Sequence, residues 1–241
     1  MRYPQPLIRG RLIRRYKRFL ADVVLDDGEE VTAHCPNTGA MLGCQEPGSR
    51  VWLSLSDSAS RKYRYTWELV QTGNGVVVGI HTGRTNALVA EALAAGVIRE
   101  LAGYTDVHRE VRVEGSGSRL DFRLDHGPGP PCYLEVKNVT AAVHDGIALF
   151  PDAVSTRAAR HVGDLAALAN EGFRAALCFC VQREDVRQVR PADAIDPAYG
   201  EALRQAAAAG VEVLAYRCRV GPEEVLLEDS VPVVLEGGPT G

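Results

Sequence analysis

The chain has 241 residues, 46% of them hydrophobic, which is enough for one large domain or two modest ones. The net charge is −4, and no apolar run approaches the ~20 residues of a membrane span. No apolar segment follows the first basic residues, so we expect no signal peptide and no membrane partner. Six cysteines without CxxC spacing predict buried, reduced thiols in a cytoplasmic protein.

Positive charge is concentrated in the first part of the chain. Residues 1–80 contain 11 Lys and Arg against 8 Asp and Glu (net +3), and the remainder contains 16 against 23 (net −7). A basic N-terminal part favours a polyanionic partner, although a solvated strand edge is the alternative. The acidic remainder of the chain is compatible with nucleic-acid binding if its acidic side chains bind metal ions.

Residues 1–80 are dominated by short alternating segments that end at turn residues, which predicts β-strands. The predicted strands are 7–16, 19–25, 29–34, 50–55, 64–71 and 76–80. Strands this short and this closely spaced indicate a small closed barrel, with the oligonucleotide-binding (OB) barrel as one candidate.

Residues 86–235 mix helical and strand periods and predict an α/β sandwich. The predicted helices are 86–101, 155–171 and 197–209, and the predicted strands are 108–114, 119–124, 132–137, 174–182 and 211–217. The fold class is therefore α+β with two domains: a barrel over 1–80, a linker over 81–85, an α/β domain over 86–235 and a disordered tail over 236–241.

Two neighbouring strands, 119–124 and 132–137, both alternate apolar and charged side chains. The hairpin register that pairs apolar with apolar residues matches positions 120, 122 and 124 with 136, 134 and 132. This register places Asp121 opposite Glu135, and two carboxylates facing each other across a ladder repel. We therefore expect a positive charge between them, either Lys137 or a divalent cation such as Mg²⁺ or Mn²⁺.

Lys137 is unusual in this chain, which has 24 arginines and only three lysines. This chain uses arginine at almost every position that needs only a positive charge. A lysine at position 137 therefore indicates that a compact ammonium is required, as beside a reacting water. A surface Glu/Lys pair is the alternative. Glu91 is a candidate third acid because it shares a helical stripe with Leu88 and Ile98, and Glu110 ranks second.

The arrangement Glu91, Asp121, Glu135-x-Lys137 resembles the PD-(D/E)XK nuclease superfamily. The segments "RRYKRFLADV", "HCPNTGAM", "SRLDF", "CYLEVKNVT" and "FPDA" resemble the sugar fermentation stimulation protein family, SfsA, over roughly residues 8–217. The resemblance implies an N-terminal OB barrel, a nuclease-like C-terminal domain and DNA binding linked to sugar (maltose) metabolism.

The resemblance also implies a mechanism. Asp121, Glu135 and Glu91 would hold Mg²⁺ or Mn²⁺, and Lys137 would orient a water or stabilise the transition state. The expected partner is DNA, with RNA as the alternative. A homo-oligomer is compatible with the sequence, but nothing in it indicates one. A DNA endonuclease and a non-catalytic DNA-binding regulator both remain open.

Several side chains are candidates for contacting nucleic acid. Basic residues interleaved with aromatics suit phosphate neutralisation and base stacking, and an Asn-Thr-Gly turn presents N–H groups to a phosphate or is simply structural. The candidates are Arg11, Arg14, Arg15, Lys17, Arg18, Asn37, Thr38, Arg61, Lys62, Arg64, Arg157, Arg160 and His161.

Overall fold

The computed structural model describes residues 1–58 and 60–236, with the side chains of all of these except residues 142–144. Residues 237–241, most of the predicted tail, therefore lie outside the described residues. Among the described residues, no helix has the length and apolar character needed to span a bilayer.

Six strands form the first part of the chain: β1 (Ile8–Tyr16), β2 (Leu20–Leu25), β3 (Glu30–His34), β4 (Arg50–Leu55), β5 (Tyr65–Gln71) and β6 (Val77–Gly79). They pair in the order β3-β2-β1-β4-β5-β6, and a parallel pairing of β3 with β5 closes β1 to β5 into a barrel. Buried apolar side chains such as Leu12, Val23 and Trp67 fill its interior. The predicted small closed barrel is confirmed.

Among the described residues, the second part of the chain contains three α-helices and nine strands. The helices are α1 (Thr85–Ala94), α2 (Thr156–Asn170) and α3 (Pro197–Ala208). The strands are β7 (Asp106–Arg112), β8 (Arg119–Asp125), β9 (Cys132–Val139), β10 (Ala142–Val143), β11 (Ile147–Phe150), β12 (Arg174–Val181), β13 (Gln188–Pro191), β14 (Glu212–Val220) and β15 (Val225–Ser230).

A mixed sheet with covered faces forms the centre of this part. Its order is β15-β14-β12-β9-β8-β7, with β9, β12 and β14 parallel, and a smaller sheet has the order β10-β11-β13. Alternate residues of β9 enter two cores, since Leu134 packs with α1 whereas Tyr133 packs with α2 and α3. Charged side chains on β9 therefore meet protein rather than solvent.

The helix predicted over 86–101 is wrong in its extent, because α1 ends at Ala94 and a separate 3-10 turn covers Arg99–Leu101. Gly96 adopts a φ of 67°, and the N–H groups of Gly96 and Val97 bond back to the carbonyls of Leu93 and Ala92. This is the Schellman arrangement in which a glycine ends a helix.

Residues 81–85 form a packed turn that joins the barrel to α1. Arg84 makes two hydrogen bonds to the carboxylate of Glu68 on β5, at 2.5 and 2.6 Å, and Ser54 donates a third at 2.6 Å. The Glu68 side chain is fully buried, and the Tyr3 ring lies 5.1 Å from the Arg84 guanidinium. An ion pair this deeply buried ties the turn to the barrel.

Candidate active site

The hairpin of β8 and β9 has most of the predicted register. Phe122 pairs with Leu134 and Leu124 pairs with Cys132, as predicted. The predicted pairs of position 120 with 136 and of Asp121 with Glu135 are absent from the ladder. The Asp121 carboxylate takes the place of a backbone partner, and its Oδ2 accepts a hydrogen bond from the Val136 N–H at 2.8 Å. The two strands separate at the point where the acidic side chains lie.

The alternation of β8 also breaks at Asp121. Leu120 packs in the core beneath α2 and α3, whereas Phe122 and Leu124 pack in the core beneath α1. Asp121 is therefore at the change of face, and its other oxygen, Oδ1, accepts a hydrogen bond from the Asn86 amide on α1 at 2.7 Å. Backbone and helix together hold this carboxylate in place.

Glu135 is the centre of the site and is only 3% exposed. Its Oε1 lies 2.6 Å from the Lys137 ammonium and 2.5 Å from His161 Nδ1 on α2. Because a carboxylate oxygen accepts hydrogen bonds, His161 donates its Nδ1–H to Glu135, and Arg157 Nε lies 3.5 Å from His161 Nε2. The second oxygen of Glu135, Oε2, is buried and has no hydrogen-bond partner among the described groups.

The two carboxylates differ in their proton affinity. Burial raises the pKa of Asp121 to about 6, and the negative charge of Glu135 adds to this effect. Burial also acts to raise the pKa of Glu135, but hydrogen bonds from His161 and Lys137 and the Lys137 charge hold it below its ordinary value. Glu135 therefore loses its proton at a lower pH than Asp121, for which the Lys137 charge is the smallest of the effects on the pKa.

The structure does not bring Glu91 to these acids. Leu88 and Ile98 of the predicted stripe pack in the core against the sheet, but the prediction that Glu91 lies on the same face is wrong. The buried residues of α1 are Thr85, Leu88, Val89 and Ala92. The Glu91 side chain is 55% exposed and lies 2.7 Å from the amino group of Met1, which also bonds the carbonyl of Val225 in β15. Glu91 therefore lies toward β15, which is four strands from β8 in the sheet, and it contacts neither Asp121 nor Glu135 among the described groups. The second-ranked Glu110 is exposed and pairs with Arg119 at 3.8 Å.

The basic cluster of β1 is largely engaged within the barrel. Arg14 pairs with Asp22 at 2.9 Å, and Arg11 donates to the Gly48 carbonyl at 3.1 Å. Arg15 and Arg18 donate to carbonyls of the loop after β3, at Asn37, Thr38 and Gly39. Arg11, Arg15 and Arg18 therefore hold loops in place, whereas the side chain of Lys17, in the turn after β1, is exposed.

The second basic group, Arg61, Lys62 and Arg64, lies before β5, because this strand begins at Tyr65 rather than at the predicted position 64. Arg61, Lys62 and Arg64 occupy the preceding loop, are exposed, and make no ion pair with any described residue. Of the interleaved aromatics, Trp67 is a core residue of the barrel. We call residues 61–64 the basic loop.

Asn37 and Thr38 lie in a loop that touches the second domain. The Asn37 side chain is 5% exposed and its Oδ1 accepts the Gly39 N–H at 2.9 Å, so the turn is capped by its own residue. Asp152 accepts the Met41 N–H at 3.1 Å, which joins this loop to the segment before α2.

The α2 residues divide between two environments. Arg157 and Arg160 are exposed, whereas His161 is buried at 3% exposure against Glu135. His161 was predicted as a phosphate contact, and its contact with Glu135 was missed, as was that of Asn86 with Asp121. The Tyr199 hydroxyl, also missed, is buried and has no hydrogen-bond partner among the described groups, and its pKa is raised by burial and by the Glu135 charge.

Comparison with known proteins gives one consistent result. The family model described as SfsA N-terminal OB domain matches residues 13–80. The family model described as sugar fermentation stimulation protein RE domain matches residues 83–224. The chain belongs to the sugar fermentation stimulation protein family.

Relatives in this family align over nearly the whole chain. Sugar fermentation stimulation protein homologues of Alkalilimnicola ehrlichii and Thioalkalivibrio sulfidiphilus are 62% and 57% identical, covering 97% and 98% of this chain and 99% and 98% of theirs. The structure of Pyrococcus furiosus SfsA in complex with Ca²⁺ aligns with a TM-score of 0.86 at 27% identity, over 97% of this chain and 98% of that one. The α+β fold with an N-terminal OB barrel is confirmed.

The residues present fit a hard divalent cation with few protein ligands. Among the described residues, no group of three or more His, Cys, Asp or Glu side chains is arranged around a metal position. Asp121 and Oε2 of Glu135, which has no partner among the described groups, would supply carboxylate oxygens, and two such ligands would suit Mg²⁺ because this ion keeps several waters. Mn²⁺ accepts the same ligands.

Proposed function

We propose that this member of the sugar fermentation stimulation protein family binds DNA and hydrolyses phosphodiester bonds with Mg²⁺ or Mn²⁺ at the Asp121/Glu135/Lys137 site. The observation that carries the proposal is the buried Oε2 of Glu135, which has no described partner and lies beside a second carboxylate whose pKa is raised. A buried carboxylate oxygen that accepts no hydrogen bond is costly, even where the other oxygen is paired. A cation between the two acids compensates both.

Asp121 and Glu135 would hold the cation, which when bound polarises a phosphate and lowers the pKa of a water. The residues of the chain have separate tasks. The Val136 N–H and Asn86 orient Asp121, and His161 fixes one oxygen of Glu135 so that the other stays available. Outer hydrogen bonds of this type tune the affinity of a metal site.

Lys137 is the cation already present at the site. Its side chain is 12% exposed, and its ammonium lies on Glu135 Oε1. A partly buried ammonium here is placed to donate to a phosphate oxygen or to a nucleophilic water. Replacement by arginine would not reproduce this contact, since a guanidinium is larger and presents a planar fork.

Purified protein incubated with single- and double-stranded DNA, with Mg²⁺, Mn²⁺ or EDTA, tests the proposal. We expect metal-dependent cleavage that is lost in Asp121→Asn and Lys137→Ala. Glu91→Gln is the matched control, because that carboxylate contacts neither Asp121 nor Glu135 among the described groups. Cleavage that is the same in all four proteins originates from a contaminant and refutes the assignment.

The exposed basic loop, residues 61–64, favours a second candidate, a non-catalytic DNA-binding regulator of sugar metabolism genes. In that case DNA binds with a strong salt dependence but is never cut. The decisive measurement is single-turnover cleavage at saturating protein. Binding without any product in Mg²⁺ or Mn²⁺ supports the regulator and overturns the nuclease.

A further inference from the structure

A cavity of about 160 Å³ lies where the barrel meets the second domain, and we call it the junction cavity. The barrel contributes residues 37–39 to its wall. The second domain contributes residues 138–141 at the end of β9, together with Phe150 and Asp152. This space is smaller than the pockets that enclose drug-sized ligands and suits a single ring system.

The lining of the junction cavity is polar but almost uncharged. Asn37, 5% exposed, uses Oδ1 for the Gly39 N–H, while its amide nitrogen has no hydrogen-bond partner among the described groups. Thr140, also 5% exposed, has a hydroxyl without a described partner. Asp152 is the one ionisable side chain in the lining. A carboxylate repels a phosphate, so the chemistry favours a neutral group with both donors and acceptors.

The junction cavity adjoins the candidate active site along β9. Val139, which lines it, lies two residues beyond Lys137 on the same face of β9, and two strand residues advance the chain by only about 6.6 Å. The Phe150 ring lies 5.4 Å from that of Phe179, the register partner of Lys137 on β12. A group in the cavity is therefore next to whatever Lys137 contacts.

We propose that the junction cavity holds the base of the nucleotide adjacent to the phosphate at the Asp121/Glu135/Lys137 site. This inference rests on the proposed function and adds a substrate class to it. A base enters such a space only when it is unstacked and unpaired. The preferred substrate is therefore a single strand, or a duplex with an unpaired or displaced nucleotide.

The test uses single-stranded oligonucleotides that each carry 2-aminopurine at one position, bound in Ca²⁺ and read by fluorescence. We expect a fluorescence change confined to the position next to the phosphate that is cut in Mg²⁺ or Mn²⁺. Asn37→Asp keeps the oxygen that accepts the Gly39 N–H but removes the amide donor, and Thr140→Val removes the hydroxyl at nearly constant volume. Each should reduce that signal and weaken binding roughly three- to tenfold, the value of one hydrogen bond.

Asn74→Asp makes the same change in an exposed barrel turn and should leave both readouts as in the wild type. If the oligonucleotides bind and are cut while the signal is uniform along the strand, or unchanged in both cavity variants, the cavity assignment is refuted and the nuclease proposal stands. If no oligonucleotide binds, the proposed function itself fails and this inference fails with it. Equal affinity for a fully paired duplex also refutes the preference for unpaired nucleotides.

Discussion

Removing the charge of Asp121 should change how stability depends on pH. Its pKa rises from 3.8 to about 6 on folding, so the folded state binds this proton more tightly than the unfolded state. The stabilisation is complete below pH 3.8 and is lost as the pH rises through 6. Between pH 5 and pH 7.5, this residue should lower the free energy of unfolding by about 1.4 kcal/mol, from the linkage relation with these two pKa values.

The measurement is urea unfolding in EDTA at both pH values, for the wild type and for Asp121→Asn. The variant cannot take up the proton, so the difference between the two proteins should change by about 1.4 kcal/mol across this range. Comparing the change with pH removes the constant cost of the altered contacts with Val136 and Asn86. Glu135, whose pKa is held below its ordinary value, stays ionised over the range in both proteins.

An identical pH dependence in the two proteins would show that folding does not raise the pKa of Asp121, and the reasoning would be refuted. Mg²⁺ supplies an independent check, because a cation that binds the ionised folded state stabilises it in proportion to the logarithm of its concentration. The wild type should gain stability from Mg²⁺ at pH 7.5, and Asp121→Asn should gain much less.

Three further outcomes are expected. Lys137→Ala should lower the cleavage rate by at least about 100-fold with little loss of DNA affinity. The control Lys62→Ala should not change the rate. If Lys137→Ala cleaves as fast as the wild type, Lys137 has no part in the chemistry. His161→Ala should weaken Mg²⁺ binding, measured by calorimetry, by roughly 10-fold through loss of its contact with Glu135, and Arg160→Ala should leave it unchanged. Alanine at Arg61, Lys62 and Arg64 together should reduce the slope of log affinity against log salt by about 2 for single strands, while Arg14→Ala, paired with Asp22, should hardly change it.

The sequence predicted the β8–β9 hairpin because period-two alternation and burial together select one register. It did not predict that the Asp121 carboxylate replaces a backbone partner, since that is a local break in the alternation. Glu91 was placed on the wrong face because α1 is apolar on several sides and ends at Ala94, so that more than one stripe was possible. The contact between His161 and Glu135 joins a helix and a strand 26 residues apart, which helical spacing alone does not reveal.

The buried pair of Glu68 and Arg84 has a mechanical consequence. Arg84 is fixed to the barrel, while Asn86, two residues later, holds Asp121. Removing one member of a buried ion pair costs about 3–5 kcal/mol, so the barrel does not rotate easily against the site. Under the proposed function, a nucleic-acid strand bound to the barrel would reach Asp121 and Glu135 at a fixed distance. The fold itself would then set the number of nucleotides between the barrel contact and the cleaved phosphate.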